Sequence, residues 1–190
     1  MEHEPTPSQT VGPYLHIGMT DRRSVTRMAG PEITGVHIRL KCRVLDVDNA
    51  PVNDAMIEIW QADGNGSYNH PDDPKGTPAG AAFRGFGRAA TDEKGACAFD
   101  TIRPGRVPGT GNAMQAPHLN VAVYARGVLL QIYTRIYFAD DPANDSDPVL
   151  AMVPPHRRGT LIANPDAHEP GSWIFDIHLR GNKETAFFDV

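Results

Sequence analysis

His118 and Asn120 stand two residues apart in the alternating run QAPHLNVAVY, residues 115–124. In a β-strand, residues at that spacing project from the same face. Histidine at both positions would make a two-nitrogen metal clamp, but His-Leu-Asn offers one nitrogen and an amide. Tyr68 and His70, in the segment DGNGSYNH, add an oxygen and a nitrogen donor. Tyrosinate oxygen together with imidazole suits a hard ferric ion. From residue types alone two readings of Tyr68, His70 and His118 stand side by side. One is a metal site; the other is a packed tyrosine with hydrogen-bonded histidines.

Arg135 lies in QIYTRIYF, where Gln131, Tyr133, Arg135 and Tyr137 share one strand face and Ile132, Thr134, Ile136 and Phe138 the other. The aliphatic face is the core side. The arginine then sits between two tyrosines on the opposite face. Either it is solvated with its stem on the rings, or its guanidinium is aimed at a carboxylate in a groove or interface, where a charge-assisted bond is worth about 1.5–3 kcal/mol. The chain has no nucleophile elbow, no phosphate-cradling glycine loop and no His-Glu zinc helix. HRR at 156–158 reads as a wet surface run, and Asp63 and Asp92 as turn formers.

Strands and turns must position these residues. VHIRLKCRVLDV alternates, with Val36, Ile38, Leu40, Cys42 and Val44 on the inner face. AMIEIW is the next strand, followed by a long Gly- and Pro-bearing loop from residue 61 to 80. One hairpin turns at Asp92–Gly95 and a second at Arg126–Gly127, with another long loop between them. SWIFDIHLR and ETAFFDV read as closing strands. The only helix candidates are residues 20–29 and 148–153. The fold predicted is all-β: an antiparallel β-sandwich with long loops and an extended N-terminal arm. It forms a single domain over 1–190, of which 1–30 is arm and linker; Pro5, Pro7 and Pro13 favour extended backbone there.

Composition agrees. With 18 Gly and 17 Pro in 190 residues, a helical bundle is disfavoured. The balance of 18 Lys and Arg against 23 Asp and Glu is mildly acidic and well mixed, which argues against a nucleic-acid partner. Cys42 and Cys97 belong to no CxxC pair and read as small core fillers. MEHEPTPSQT lacks the basic start and apolar stretch of a signal peptide, and no apolar run is long enough for a bilayer. A cytoplasmic location is expected, with no membrane contact.

Several segments in order resemble the intradiol ring-cleavage dioxygenases: LDVDNAPVNDAMIEIWQADGNGSY (45–68), DTIRPG (100–105), APHLNV (116–121) and TRIYFADDP (134–142). TPSQTVGPYLHIG (6–18) resembles the N-terminal arm of one hetero-oligomeric branch. Catalytic chains of the family hold a non-haem ferric ion with two tyrosines and two histidines. The resemblance puts those four positions at Tyr68, Val107, His118 and Asn120, and a catalytic arginine at Gln115. Two donors and the arginine are absent, so these are degenerate iron-site positions, with no metal and no catalytic residue in this chain alone.

That pattern is similar to the alpha chain of the branch. There a homologous beta subunit binds Fe(III), and the heteromer cleaves protocatechuate with O2 to 3-carboxy-cis,cis-muconate. The resemblance implies that Gly12, Pro13, Tyr14 and Arg135 are lent to the partner's substrate pocket, and that the chain alone is inactive. Where catalytic chains resemble the Arg135 strand most closely, glutamine stands in its place. Two other readings stay open: a non-catalytic transthyretin-like β-sandwich used for binding or assembly, and a stand-alone dioxygenase with altered ligation.

Overall fold

The computed structural model describes residue 12 and residues 17–21, 23–73, 75 and 83–189. Pro13 and Tyr14, with the rest of 1–16 apart from Gly12, lie outside the described residues. The chain is mostly β. Its strands are β1 (His37–Leu45), β2 (Met56–Gln61), β3 (Phe86–Ala90), β4 (Ala96–Ile102), β5 (Val107–Pro108), β6 (Met114–Gln115), β7 (His118–Tyr124), β8 (Ile132–Phe138), β9 (Ile162–Pro165) and β10 (Ser172–His178). A short helix, α1 (Pro148–Met152), lies between 3₁₀ turns at Pro142–Ser146 and Pro155–Leu161.

The alternation read in β1 holds: Ile38, Leu40, Cys42 and Val44 are buried, and they pack with Ile57, Ile59, Phe99, Val121, Ile136, Phe138 and Phe175 in one core. Val36 is the exception at 67% exposed, because it precedes the strand and lies outside the rim of the core. On the wet face Arg39 pairs with Asp100, Lys41 with Asp166 and Arg43 with Asp176.

Eight strands follow one another in a single hydrogen-bonded order, β3-β2-β7-β8-β9-β10-β1-β4. The purely antiparallel arrangement expected from the sequence is corrected at two pairings: β1–β10 and β8–β9 are parallel. Parallel neighbours need long crossovers rather than hairpins, so adjacent sequence carries no trace of them. β9 joins the two halves. The pattern does not predict it, because four residues, Ile-Ala-Asn-Pro, show no alternation long enough to read.

The two ends of the sheet, β3 and β4, curl back toward each other. The segment 25–29 runs between them: Val25 bridges Arg88, and Arg27 bridges Asp100. Val25 N donates to Arg88 O at 2.7 Å and Met28 N to Asp100 O at 2.8 Å, while Met28 itself is fully buried. Residues 20–29, a helix candidate by sequence, therefore lie extended from Val25 to Ala29. Two open edges offer more backbone partners than a lone helical turn, and they close the sheet nearly into a barrel. The other helix candidate is observed as α1. Of ETAFFDV, the described residues 184–189 form only an isolated bridge, Tyr133 to Phe188, instead of the expected strand.

The turns at Asp92–Gly95 and Arg126–Gly127 form as predicted, with Gly95 and Gly127 at φ +68° and +78°. Asp92 Oδ1 accepts from Lys94 N and Ala96 N, and Asp63 Oδ1 from Asn65 N and Ser67 N. The run 156–158 is less wet than expected. Arg157 bonds Glu184 and Thr185, and Arg158 bonds the carbonyls of Ala151 and Val153, so both tie down the turn after α1. Cys42 and Cys97 are free and face each other across the β1–β4 ladder.

Candidate functional site

On β7 the core takes Leu119, Val121 and Val123, which leaves His118 and Asn120 together on the other face, as their spacing predicts. Register builds a row across that face. Trp60 on β2 stands opposite Asn120, and Asn120 stands opposite Arg135 on β8. Tyr68 enters this row from the loop after β2. Its ring stacks on Trp60, with centroids 6.0 Å apart and planes 5° from parallel.

Two glycines allow the loop to come so close. A Cβ on Gly66, at φ +74°, would lie 1.9 Å from Arg106 O, and one on Gly105 would lie 2.5 Å from Gly64 O. This contact sets Tyr68 beside β5, where Val107 pairs with Gln115 of β6. Gln115 uses both ends of its amide: Oε1 accepts from Arg135 Nη1 at 2.6 Å, and Nε2 donates to Pro108 O at 2.9 Å. Of the five positions that the resemblance singles out, Gln115 bonds Arg135, Asn120 stands opposite it, Tyr68 and His118 feel its charge, and Val107 is reached only through Gln115. His70 does not join them; it is turned to solvent beside Asp72.

The cluster's electrostatics are those of a cation already in place. His118 is buried, with Nδ1 on Ala116 O at 2.8 Å and Nε2 without a hydrogen-bond partner. Burial first, and the Arg135 charge second, push its pKa down to about 4, so the imidazole is neutral at physiological pH. Burial raises the Tyr68 phenol above its ordinary value, against the pull of Asn120 and Arg135. Tyr68 is held as a neutral phenol.

These residues do not fit a ferric ion. Val107 has no donor atom, and Asn120 offers only a neutral amide beside Tyr68. Tyr68 resists the ionisation that ligation needs, and the guanidinium adds positive charge where an ion would have to sit.

Of the two readings of Arg135, the solvated one is corrected. It is half-buried rather than solvated, and its partners inside the chain are Gln115 and, at 3.4 Å, the Tyr137 hydroxyl, not a carboxylate. Other well-covered arginines do have carboxylates: Arg88 pairs with Glu58, and Arg103 with Asp140 and Asp141. Sequence reading also misses Tyr137 and Asp147. Tyr137 is fully buried in a second, smaller core with Ala116, Leu150, Val153, Leu161 and Ala186. Asp147 is fully buried and caps α1 through Val149 N and Leu150 N. Asp-Pro ahead of a short apolar run was the available signal for such a cap.

Known proteins are similar to this chain along most of its length. A family model described as Dioxygenase matches residues 10–181. The protocatechuate 3,4-dioxygenase alpha chain of Burkholderia cepacia is 41% identical over 198 residues, covering 97% of both chains. The chain belongs to the intradiol dioxygenase family. The protocatechuate 3,4-dioxygenase beta chain of Burkholderia cepacia is 34% identical over 161 residues, covering 81% of this chain and 68% of that one. Among solved structures, the dioxygenase domain of a carbohydrate-binding fusion protein from Streptomyces sp. SirexAA-E aligns with a TM-score of 0.62 at 27% identity. It covers 96% of this chain and 100% of that one. Intradiol dioxygenases are non-haem iron enzymes.

Proposed function

We propose that this chain is the alpha-type, non-iron-binding subunit of a protocatechuate 3,4-dioxygenase. In this reading a homologous beta subunit holds Fe(III), which supplies the chemistry toward O2, and the heteromer converts protocatechuate to 3-carboxy-cis,cis-muconate. This chain contributes substrate orientation and exclusion of water. Arg135 and the arm residues Gly12, Pro13 and Tyr14 face the substrate in the partner's pocket. The two layers of a β-sandwich, antiparallel except at β1–β10 and β8–β9, carry the arm, and the two free thiols, Cys42 and Cys97, suit a reducing cytoplasm.

One observation carries the reading. Arg135 is a half-buried cation with no carboxylate partner among the described residues, on the strand face opposite Asn120. A carboxylated catechol supplies the missing anion. The likeness to both an alpha and a beta chain supports the same conclusion.

Co-expression with a homologous chain that keeps Tyr, Tyr, His and His tests it. A tyrosinate-iron-coloured complex is expected, and Arg135→Ala is expected to raise KM for protocatechuate by about 10- to 100-fold. Recovery of this chain alone with one ferric ion and ring-opening turnover would overturn the proposal.

A further inference from the structure

Arg135 and Asp147 each carry a charge with no opposite charge in direct contact among the described residues. Asp147 is fully buried, an expensive position for a carboxylate unless its oxygens are saturated. They are: Ala116 N and Leu150 N each lie at 2.7 Å, Val149 N at 2.9 Å and the Tyr137 hydroxyl at 3.1 Å. A carboxylate only accepts, so the Tyr137 hydroxyl proton is committed to Asp147. Its oxygen lone pairs are left for Arg135 Nη1, at 3.4 Å.

The two charges are therefore joined through a single hydroxyl. Nη1 is the tethered nitrogen, held by Tyr137 on one side and by Gln115 at 2.6 Å on the other. Nε and Nη2 have no partner among the described residues. These two nitrogens form the side of a guanidinium that meets a carboxylate with two parallel hydrogen bonds.

We propose that Tyr137 and Asp147 are positioning residues for Arg135, fixing its Nη1 so that the Nε–Nη2 edge is presented, side-on, to the carboxylate of the aromatic substrate. This rests on the reading that Arg135 faces the substrate in the heteromer. The buried aspartate acts at one remove. It orients the tyrosine hydroxyl, and the hydroxyl sets the tilt of the guanidinium. Four donors on two oxygens explain why an acceptor-only side chain occupies position 147, since an asparagine would turn an N–H toward one of them.

The test uses the complex of this chain with its iron-bearing homologue, titrated without O2 with protocatechuate and with catechol, which lacks the carboxylate. Tyr137→Phe keeps the buried ring and removes only the hydroxyl. It is expected to raise Kd for protocatechuate by about 3- to 10-fold, the loss of one hydrogen bond, and to leave the Kd for catechol where it was. In an Arg135→Ala background the same change should add nothing. Arg135→Lys keeps the charge but not the fork and should fail to restore wild-type binding. A lowered Tm with unchanged protocatechuate binding, or equal weakening toward both ligands, would make Tyr137 merely structural and overturn the inference. So would full binding by Arg135→Lys. If Arg135→Ala itself leaves protocatechuate binding intact, the underlying reading of Arg135 fails first.

Discussion

Asn120 and Arg135 stand directly opposite each other across the β7–β8 ladder. The Asn120 amide, at a position the family resemblance assigns to a ligand, therefore faces the Arg135 guanidinium. The two substitutions belong together. A histidine at 120 beside an Arg135 cation would compete for the same space and be pushed away from protonation, whereas an amide offers a neutral partner to both Arg135 and Tyr68.

Restoring the ligands should therefore fail on its own. Val107→Tyr with Asn120→His is expected to bind little ferric ion while Arg135 is present, and to gain affinity when Arg135→Gln is added. Iron content per chain and the tyrosinate-to-iron absorption band measure this. Val107 is only 3% exposed, so the added ring also costs about 1–3 kcal/mol by overpacking. Stoichiometric iron in the double variant would show that the guanidinium is no obstacle.

His118 gives a signed pH dependence. Its folded pKa is about 4 and its ordinary value is 6.5. Between those values the unfolded chain takes up a proton that the folded chain refuses. Stability is unaffected by this group above about pH 6.5, falls as pH drops toward 4, and is lower by about 3 kcal/mol below that. Thermal unfolding of the wild type and of His118→Asn, compared from pH 7.5 to about 4, should converge in difference as this slope disappears from the variant. Parallel pH profiles for the two proteins would contradict the assignment.

The loop that delivers Tyr68 can be probed with two glycines of like backbone. Gly66 and Gly111 have φ of +74° and +65°, but only at Gly66 would a Cβ strike backbone; at Gly111 nothing lies within 4 Å. Gly111→Ala should cost about 1 kcal/mol from backbone strain alone. Gly66→Ala should cost about 2 kcal/mol more and loosen the Trp60–Tyr68 stack, read as a change in tryptophan fluorescence. Equal costs in urea unfolding would mean that the loop gives way freely.

Arg103 holds a structural junction. Its guanidinium lies 4.4 Å from the centre of the Phe138 ring and 5.2 Å from that of Trp173, and it pairs with Asp140 at 2.7 Å and Asp141 at 3.0 Å. Arg103→Ala is expected to destabilise by about 2–4 kcal/mol, and Arg103→Lys to recover only part, because a lysine cannot stack and fork together. Chemical denaturation of the two variants decides it; full recovery by lysine would show that charge alone matters.

By itself the sequence determined what is local. The period-two alternation set the inner faces of β1, β7 and β8, and so placed His118 with Asn120 and Arg135 with Tyr137. Asp-Gly chemistry at Asp92–Gly95 and Gly127 set the hairpin turns. Residue types also settled that Val107 has no donor atom and that Asn120 offers only a neutral amide, a poor ligand for ferric iron. Tertiary structure alone decided what depends on contacts distant in the chain. The parallel partners β1–β10 and β8–β9, the closing segment 25–29 and the union of Asp147, Tyr137 and Arg135 leave no periodic mark on neighbouring residues. Side-chain alternation reports which way a strand faces, but not which strand lies beside it, nor which buried carboxylate a hydroxyl will find.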